Sequence, residues 1–147
     1  MKFMMFFLFA AFMFLNVSPS FAAINNANQP MVAVIDLGSI TADGDVFGMY
    51  LPKKSKIVEA KLVNGATINA SDTDYAQVSL QLGSTVIAEI DTRAAHENGL
   101  TANTPKSLNV VAAQSTPAAG SYLKATYNEE GTMAMTSAKL IVVYYPL

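Results

Sequence analysis

One stretch of the sequence decides the fold: Ala76-Gln77-Val78-Ser79-Leu80-Gln81-Leu82-Gly83-Ser84-Thr85-Val86-Ile87-Ala88-Glu89-Ile90-Asp91. Its first half alternates apolar and polar side chains, which is typical of a β-strand with one buried face and one solvated face. Gly83-Ser84 then places glycine first in a two-residue turn, the pattern of a type II′ turn. The second half predicts a partner strand with Val86, Ala88 and Ile90 on one face. The stretch therefore predicts an antiparallel hairpin.

Six further short runs are bounded by Gly, Pro, Asn, Asp or Ser and predict strands. They cover residues 31–37, 45–51, 57–63, 107–112, 122–127 and 139–145. A short stretch around residues 92–98 is the one helical contender, and we interpret it as a loop. Eight strands without a crossover helix predict an all-β fold, an antiparallel β-sandwich. The number of strands favours an eight-stranded jelly roll over an immunoglobulin-like sandwich.

The N-terminus differs in composition from the rest of the chain. Lys2 precedes an unbroken apolar run over residues 3–15, and Ser20-Phe21-Ala22 places small residues before Ala23. This pattern predicts that residues 1–22 are a secretory signal peptide, so that the protein is exported to a periplasmic or extracellular location. The alternative is an uncleaved hydrophobic anchor that contacts a membrane, although the apolar run is shorter than the roughly twenty residues of a full span. Residues 23–30 then form a flexible lead-in, and residues 31–147 form the sandwich domain.

Composition excludes several functions. The 147 residues carry a formal net charge of −2, so the chain lacks the positive charge that nucleic-acid binding requires. It contains no cysteine, which excludes disulfides, thiolate zinc sites and a cysteine nucleophile. We therefore predict no nucleic-acid partner and no cofactor.

Few residues have the chemistry for catalysis or metal binding. His96 is the only histidine and lies in a polar stretch, and the Gly-x-Ser-x-Gly pattern of a serine hydrolase does not occur. Asp43-Gly44-Asp45 and Asp72-Thr73-Asp74 each pair two carboxylates but do not continue into an EF-hand pattern, and aspartate is common in turns. Lys53-Lys54-Ser55-Lys56 is the only basic cluster, and we expect it at a solvated loop tip. The sequence thus predicts no catalytic, cofactor-binding or metal-binding residues and a protein that is not an enzyme.

Two of the predicted strands, at residues 46–51 and 140–145, are apolar on both faces. A two-sheet sandwich needs only one apolar face per strand, so the second face must be covered by loops, by the lead-in or by another subunit. The residues that we predict at such an interface are Val46, Phe47, Met49, Tyr50, Leu51, Ile141, Val143 and Tyr145.

Roughly the last two-thirds of the chain also contain turn and strand phrases of a known class of protein. These phrases are Ile57-Val58-Glu59-Ala60-Lys61-Leu62-Val63, Ala70-Ser71-Asp72-Thr73-Asp74-Tyr75-Ala76, Leu82-Gly83-Ser84-Thr85-Val86-Ile87-Ala88, Leu100-Thr101-Ala102-Asn103-Thr104-Pro105 and Tyr144-Tyr145-Pro146. In them the chain resembles the small β-sandwich virion structural proteins of tailed bacteriophages, of the head-fibre, decoration and minor capsid type. The resemblance implies a subunit without catalytic residues that binds a particle surface or another copy of itself.

Two functions follow as expectations. The first is a structural subunit of a virion, of the decoration or minor capsid type, whose partners are further copies of itself or other virion proteins. The second, favoured by the signal-like segment, is an exported cell-surface module that recognises glycan or protein through its loops.

Overall fold

The computed structural model describes residues 29–96 and 98–147, without the side chains of Val46 and Phe47. The predicted signal peptide or anchor at residues 1–22 lies outside the described residues, as does most of the lead-in. The strands are β1 (Met31–Ile40), β2 (Gly44–Leu51), β3 (Ser55–Val63), β4 (Tyr75–Leu82), β5 (Thr85–Asp91), β6 (Lys106–Ser107), β7 (Asn109–Val110), β8 (Ser121–Glu130) and β9 (Met135–Pro146). Short 3-10 helices lie at Ala94–His96 and Ala112–Gln114. Across the described part of the chain, no helix has the length and apolar character needed to cross a membrane.

The strands form two antiparallel sheets that pack as a sandwich. Sheet 1 has the order β1-β9-β3-β6, and sheet 2 has the order β2-β8-β4-β5-β7. Apart from the two-residue strand β7, this is the strand order of a jelly roll, in which successive strands pass between the layers and only β4 and β5 form a hairpin within one sheet. The predicted fold class is confirmed.

The hairpin of β4 and β5 forms as the sequence predicts, with one difference. Gly83 has a φ of +60°, the left-handed conformation required at the first turn position. The register shifts between Leu80 and Gln81, which pair with Ala88 and Val86, so Ile87 is the extra residue of a β-bulge. Ile87 is fully buried whereas Val86 is only half-buried. The prediction that Val86 shares one face with Ala88 and Ile90 was therefore wrong, because the bulge brings Ile87 into the core instead.

The predicted strand at residues 107–112 is divided between the two sheets. β6 pairs with β3 in sheet 1, whereas β7 pairs with β5 in sheet 2. Leu108 lies at the crossing, is buried, and donates its backbone N–H to the carbonyl oxygen of Ala60 at 2.8 Å. The chain thus closes one side of the sandwich. The other side has the long edge strands β1 and β2.

The core lies between the sheets and is formed by alternate side chains of the long strands. Tyr127 is its largest fully buried side chain, and its hydroxyl group donates to the carbonyl oxygen of Met133 at 2.9 Å. The other large and fully buried side chains are Leu51, Ile57, Leu62, Val78, Leu80, Ile87, Leu100, Leu123, Met135, Leu140 and Val142. Away from the bulges, this alternation leaves every second side chain of the long strands on an outer face.

Candidate interaction surface

The predicted interface residues of β2 do not form one exposed surface. Leu51 is fully buried in the core and Met49 is partly buried against it, so neither is available to a partner. Tyr50 is 59% exposed on the outer face of sheet 2, where it pairs with Tyr122 of β8. The side chains of Val46 and Phe47 lie outside the described part of the structure. Of the described side chains predicted on this strand, only Tyr50 is exposed.

The predicted interface residues of β9 do share a face. Ile141, Val143 and Tyr145 are half-buried and alternate with the buried residues of β9, so they lie on the outer face of sheet 1. On the neighbouring strand β1, Val32 pairs with Val143, and Val34 pairs with Ile141. Their side chains are 63% and 59% exposed. These side chains form a continuous apolar surface across two strands.

This surface continues onto β3. Val58 is the unpaired residue of a β-bulge between Ile57 and Glu59, and it is 41% exposed. Glu59 and Lys61 border the surface and form an ion pair at 2.8 Å. We define the apolar face as Val32, Val34, Val58, Ile141, Val143 and Tyr145.

The two strands that are apolar on both faces therefore belong to different sheets, and the structure does not bring their predicted residues together. β2 is an edge strand of sheet 2, whereas β9 lies inside sheet 1. Three residues of the apolar face are not among the predicted ones: Val32 and Val34 on β1, next to β9, and Val58 on β3. For Val32 and Val34 the sequence does carry a signal, because residues 31–35 form a continuous apolar run like that of β9.

Away from the exposed side chains of Tyr50 and Tyr122, the described outer face of sheet 2 is mainly polar. Asp45 of β2 accepts hydrogen bonds from Lys124 Nζ at 2.6 Å and from Thr126 Oγ1 at 2.7 Å. The hydrogen bond from Lys124, and after it that from Thr126, holds the pKa of Asp45 below its usual value. Further along, Gln81 Nε2 donates to Ser79 Oγ at 2.8 Å. These polar groups find partners on their own sheet, so the two outer faces of the sandwich differ in chemistry.

An open polar groove lies on sheet 2 near β5. Its main feature is Asp91, which accepts hydrogen bonds from Arg93 Nε at 2.7 Å and from the Arg93 backbone N–H at 3.0 Å. The Arg93 guanidinium also lies 5.1 Å from the ring centre of Tyr75, within cation–π distance. His96 Nε2 is 3.8 Å from the Asp91 carboxylate, and the His96 side chain is half exposed. Gln77, Glu89, Asn98 and Asn109 line the rest of the groove.

Apart from Asp45, the carboxylates of the two Asp-x-Asp turns accept hydrogen bonds from backbone N–H groups. Asp43 accepts from the Glu129 N–H at 2.6 Å, and Asp74 accepts from the Thr132 N–H at 3.0 Å. Asp72 accepts from the Ala95 N–H at 3.2 Å. Within residues 29–96 and 98–147, no group of three or more metal-ligating side chains is placed to hold an ion. These aspartates therefore act here as supports for turns.

Comparison of this fold with solved structures finds protein chains from virus particles. A chain of the cyanophage Pam1 capsid asymmetric unit matches with a TM-score of 0.51 and 13% sequence identity, covering 81% of this chain and 86% of that chain. Chains from infectious bursal disease virus match more weakly. The chain from the Gx strain matches with a TM-score of 0.33 and 17% identity, covering 79% of this chain and 33% of the viral chain. The chain from the Gt strain matches with a TM-score of 0.36 and 13% identity, covering 88% of this chain and 35% of the viral chain.

The sequence itself matches no family model and no curated protein. At 13% identity, the likeness to the cyanophage chain is one of fold. That fold extends over most of both chains.

Proposed function

We propose that this chain is a non-enzymatic structural subunit of a virus particle, of the decoration or minor capsid type. It associates with further copies of itself or docks on a larger assembly. The observation that carries the proposal is the apolar face on the outside of sheet 1. The likeness in fold to a chain of the cyanophage capsid asymmetric unit supports a place in a virus particle.

The apolar face has the character of a contact surface. Val32 and Val34 each expose more than half of their side chains next to Ile141 and Val143, on a sheet whose inner face already forms the core. Burying such side chains stabilises a complex by about 25 cal/mol per Å² of apolar surface. Contiguous exposed apolar side chains are typical of sites where proteins meet.

The size of the face suits repeated weak contacts. Six side chains, three of them already half-buried, offer less than the roughly 800 Å² per partner of a standard stable complex. A single contact of this size would be weak. In a shell with many copies, several weak contacts act together and give a high overall affinity.

The polar groove favours a second candidate, an exported cell-surface module that recognises glycan or protein. Gln77, Asn98 and Asn109 offer amide groups beside the carboxylate of Glu89. Amide and carboxylate groups on a concave surface suit hydroxyl-rich ligands. The signal-like residues 1–22 also fit this candidate.

The test separates these candidates by location and by surface. Mass spectrometry of purified particles and of the exported fraction from the source should find the chain in the particles. Val34→Lys, on the apolar face, should reduce its incorporation severalfold, whereas Asn128→Lys, on the exposed outer face of sheet 2, should not. Absence from particles, together with a mature N-terminus at Ala23 in the exported fraction, would favour the second candidate.

A further inference from the structure

The two edges of the sandwich differ in how much strand edge they leave unpaired. On one side, the crossing at Leu108 links the short edge strands β6 and β7, so little strand edge is left there. On the other side, β1 is the outer strand of sheet 1, and among the described residues no strand pairs with its outer edge. A strand edge presents backbone N–H and C=O groups that can pair with another extended chain.

The first half of β1 is a regular and unprotected edge. Residues 31–36 pair with β9 in unbroken register, and the irregularities begin only after Asp36. Residues 31–35 are Met-Val-Ala-Val-Ile, without a charge, a glycine or a proline. Natural sheet edges usually carry such residues or a bulge, which discourage pairing with other chains. The other long edge, β2, has these protections in Asp45 and in the bulge at Gly48.

We propose that β1 of one copy pairs antiparallel with β1 of a second copy, across a two-fold axis at Ala33. Sheet 1 of the two copies then becomes one continuous sheet. In this register Val32 lies opposite Val34 of the second copy on the outer face, and Met31 lies opposite Ile35 on the inner face. Opposed β-branched side chains stabilise antiparallel pairs, and the two-fold pairing unites the apolar faces of both copies.

Chemistry selects this register over its neighbours. Opposed side chains must point to the same side of the sheet. Because side chains alternate between the two faces, opposed residues of the two identical strands must be an even number of positions apart, so the two-fold axis lies at a residue and not between two residues. An axis at Val34 would place Asp36 opposite Val32, within the apolar face. An axis at Val32 would place Pro30, which has no N–H group, opposite Val34. Only the axis at Ala33 leaves Asp36 and Pro30 opposite each other at the ends of the paired segment.

This inference rests on the proposed function and names the contact through which its copies meet. The chain contains no cysteine, so engineered cysteines are its only thiols. Directly opposed residues in an antiparallel pair have Cα atoms about 4.5–5.5 Å apart, within the roughly 4.4–6.8 Å that a disulfide spans, whereas diagonal neighbours are about 7–8 Å apart. An equal mixture of Val32→Cys and Val34→Cys should therefore form severalfold more disulfide-linked dimer than either variant alone. Val58→Cys, on β3 of the same face, is the matched control and should give only background with either variant.

Sedimentation of the full chain gives the second measurement. The wild-type protein should show a monomer–dimer equilibrium that Val34→Lys shifts severalfold towards monomer and that Val58→Lys changes little. Equal cross-linking in all mixtures, or a wild-type monomer at the highest concentration reached, overturns the β1 pairing. Incorporation into particles is measured separately, so the proposed function can survive the loss of this pairing.

Discussion

The buried side chain of Asn64 joins the end of β3 to the start of β9, because its Oδ1 accepts a hydrogen bond from the backbone N–H of Thr136 at 2.8 Å. Its Nδ2 donates to the carbonyl oxygen of Ala66 at 2.8 Å. The backbone carbonyl of Asn64 also accepts from the Asn103 N–H at 2.7 Å. One residue thus connects three segments that are distant in the sequence.

Replacing Asn64 with alanine should lower the free energy of unfolding by about 1–3 kcal/mol, because the backbone groups of Thr136 and Ala66 lose the hydrogen bonds that this buried side chain makes. Urea denaturation at neutral pH measures the change. Asn128→Ala, on the exposed outer face of β8, is the matched control and should change stability by less than about 0.5 kcal/mol. Equal losses in the two variants would show that the hydrogen bonds of Asn64 do not stabilise the fold.

The bulge in β2 depends on a glycine. The register shifts between Phe47 and Met49, and a Cβ atom added at Gly48 would overlap the backbone carbonyl of Leu123. Gly48→Ala should therefore destabilise the protein by about 1–3 kcal/mol, the usual cost of overpacking. Gly44→Ala in the same strand is the control, since no atom lies within 4 Å of the added carbon. A thermal or urea midpoint that falls equally in both variants would contradict this prediction.

The sequence predicts each of the seven long strands, because a short apolar or alternating run bounded by turn residues indicates a strand whatever its neighbours are. It could not show that the strand at residues 107–112 is divided between the sheets. Leu108 is apolar in either case, since the crossing point faces the same core as a continuous strand would. The sequence could not predict the bulge at Ile87 for a similar reason. A bulge changes the face of a residue without changing the composition of the strand.

The candidate surface was predictable in part. The apolar character of β9 on both faces marks Ile141, Val143 and Tyr145 correctly as residues of an outer face. The structure separates them from the predicted residues of β2, because the jelly-roll order places β2 and β9 in different sheets. The apolar pattern along a strand does not indicate which strands become its neighbours. Val32 and Val34 become part of the surface only when β1 is seen to pair with β9.

Tyr127 gives a prediction at alkaline pH. Burial, and after it the negative charges of Glu129, Asp43 and Asp74, raise the pKa of Tyr127 to about 12. A raised pKa means that the folded protein favours the neutral phenol of Tyr127. The contribution of Tyr127 to the free energy of unfolding is therefore fully present below the unfolded pKa of about 10, and it is lost as the pH rises towards 12.

Tyr127→Phe removes the hydrogen bond to Met133 and should cost about 0.5–1.5 kcal/mol at pH 7. The phenylalanine cannot ionise, so the difference in stability between wild type and variant should shrink between pH 10 and pH 12. Urea denaturation at several pH values checks this, with Tyr122→Phe on the exposed face of β8 as the control. A constant difference over this range would mean that Tyr127 does not titrate as the structure indicates.

The groove on sheet 2 gives the corresponding prediction at acidic pH. Burial of the Asp91 carboxyl raises its pKa, but the hydrogen bonds from the side chain and backbone of Arg93, together with the charges of Arg93 and His96, lower it by more. The net pKa lies below the usual value of 3.8. The stabilisation by the ionised group is therefore present above the unfolded pKa and is lost as the pH falls through the lower folded value.

Asp91→Asn should consequently cost about 1 kcal/mol at pH 7, a modest figure because Arg93 is 41% exposed and its charge is screened by solvent. The difference in the free energy of unfolding between wild type and Asp91→Asn should decrease between pH 5 and pH 2. Protonation of Asp91 removes the negative charge from the wild type, and the substitution has already removed that charge from the variant. Glu130→Gln, an exposed carboxylate at the end of β8, is the control for general charge effects. If the wild type and Asp91→Asn lose stability in parallel on acidification, the carboxylate of Asp91 is not held by Arg93 in solution, and the groove has a different electrostatic character from the one described above.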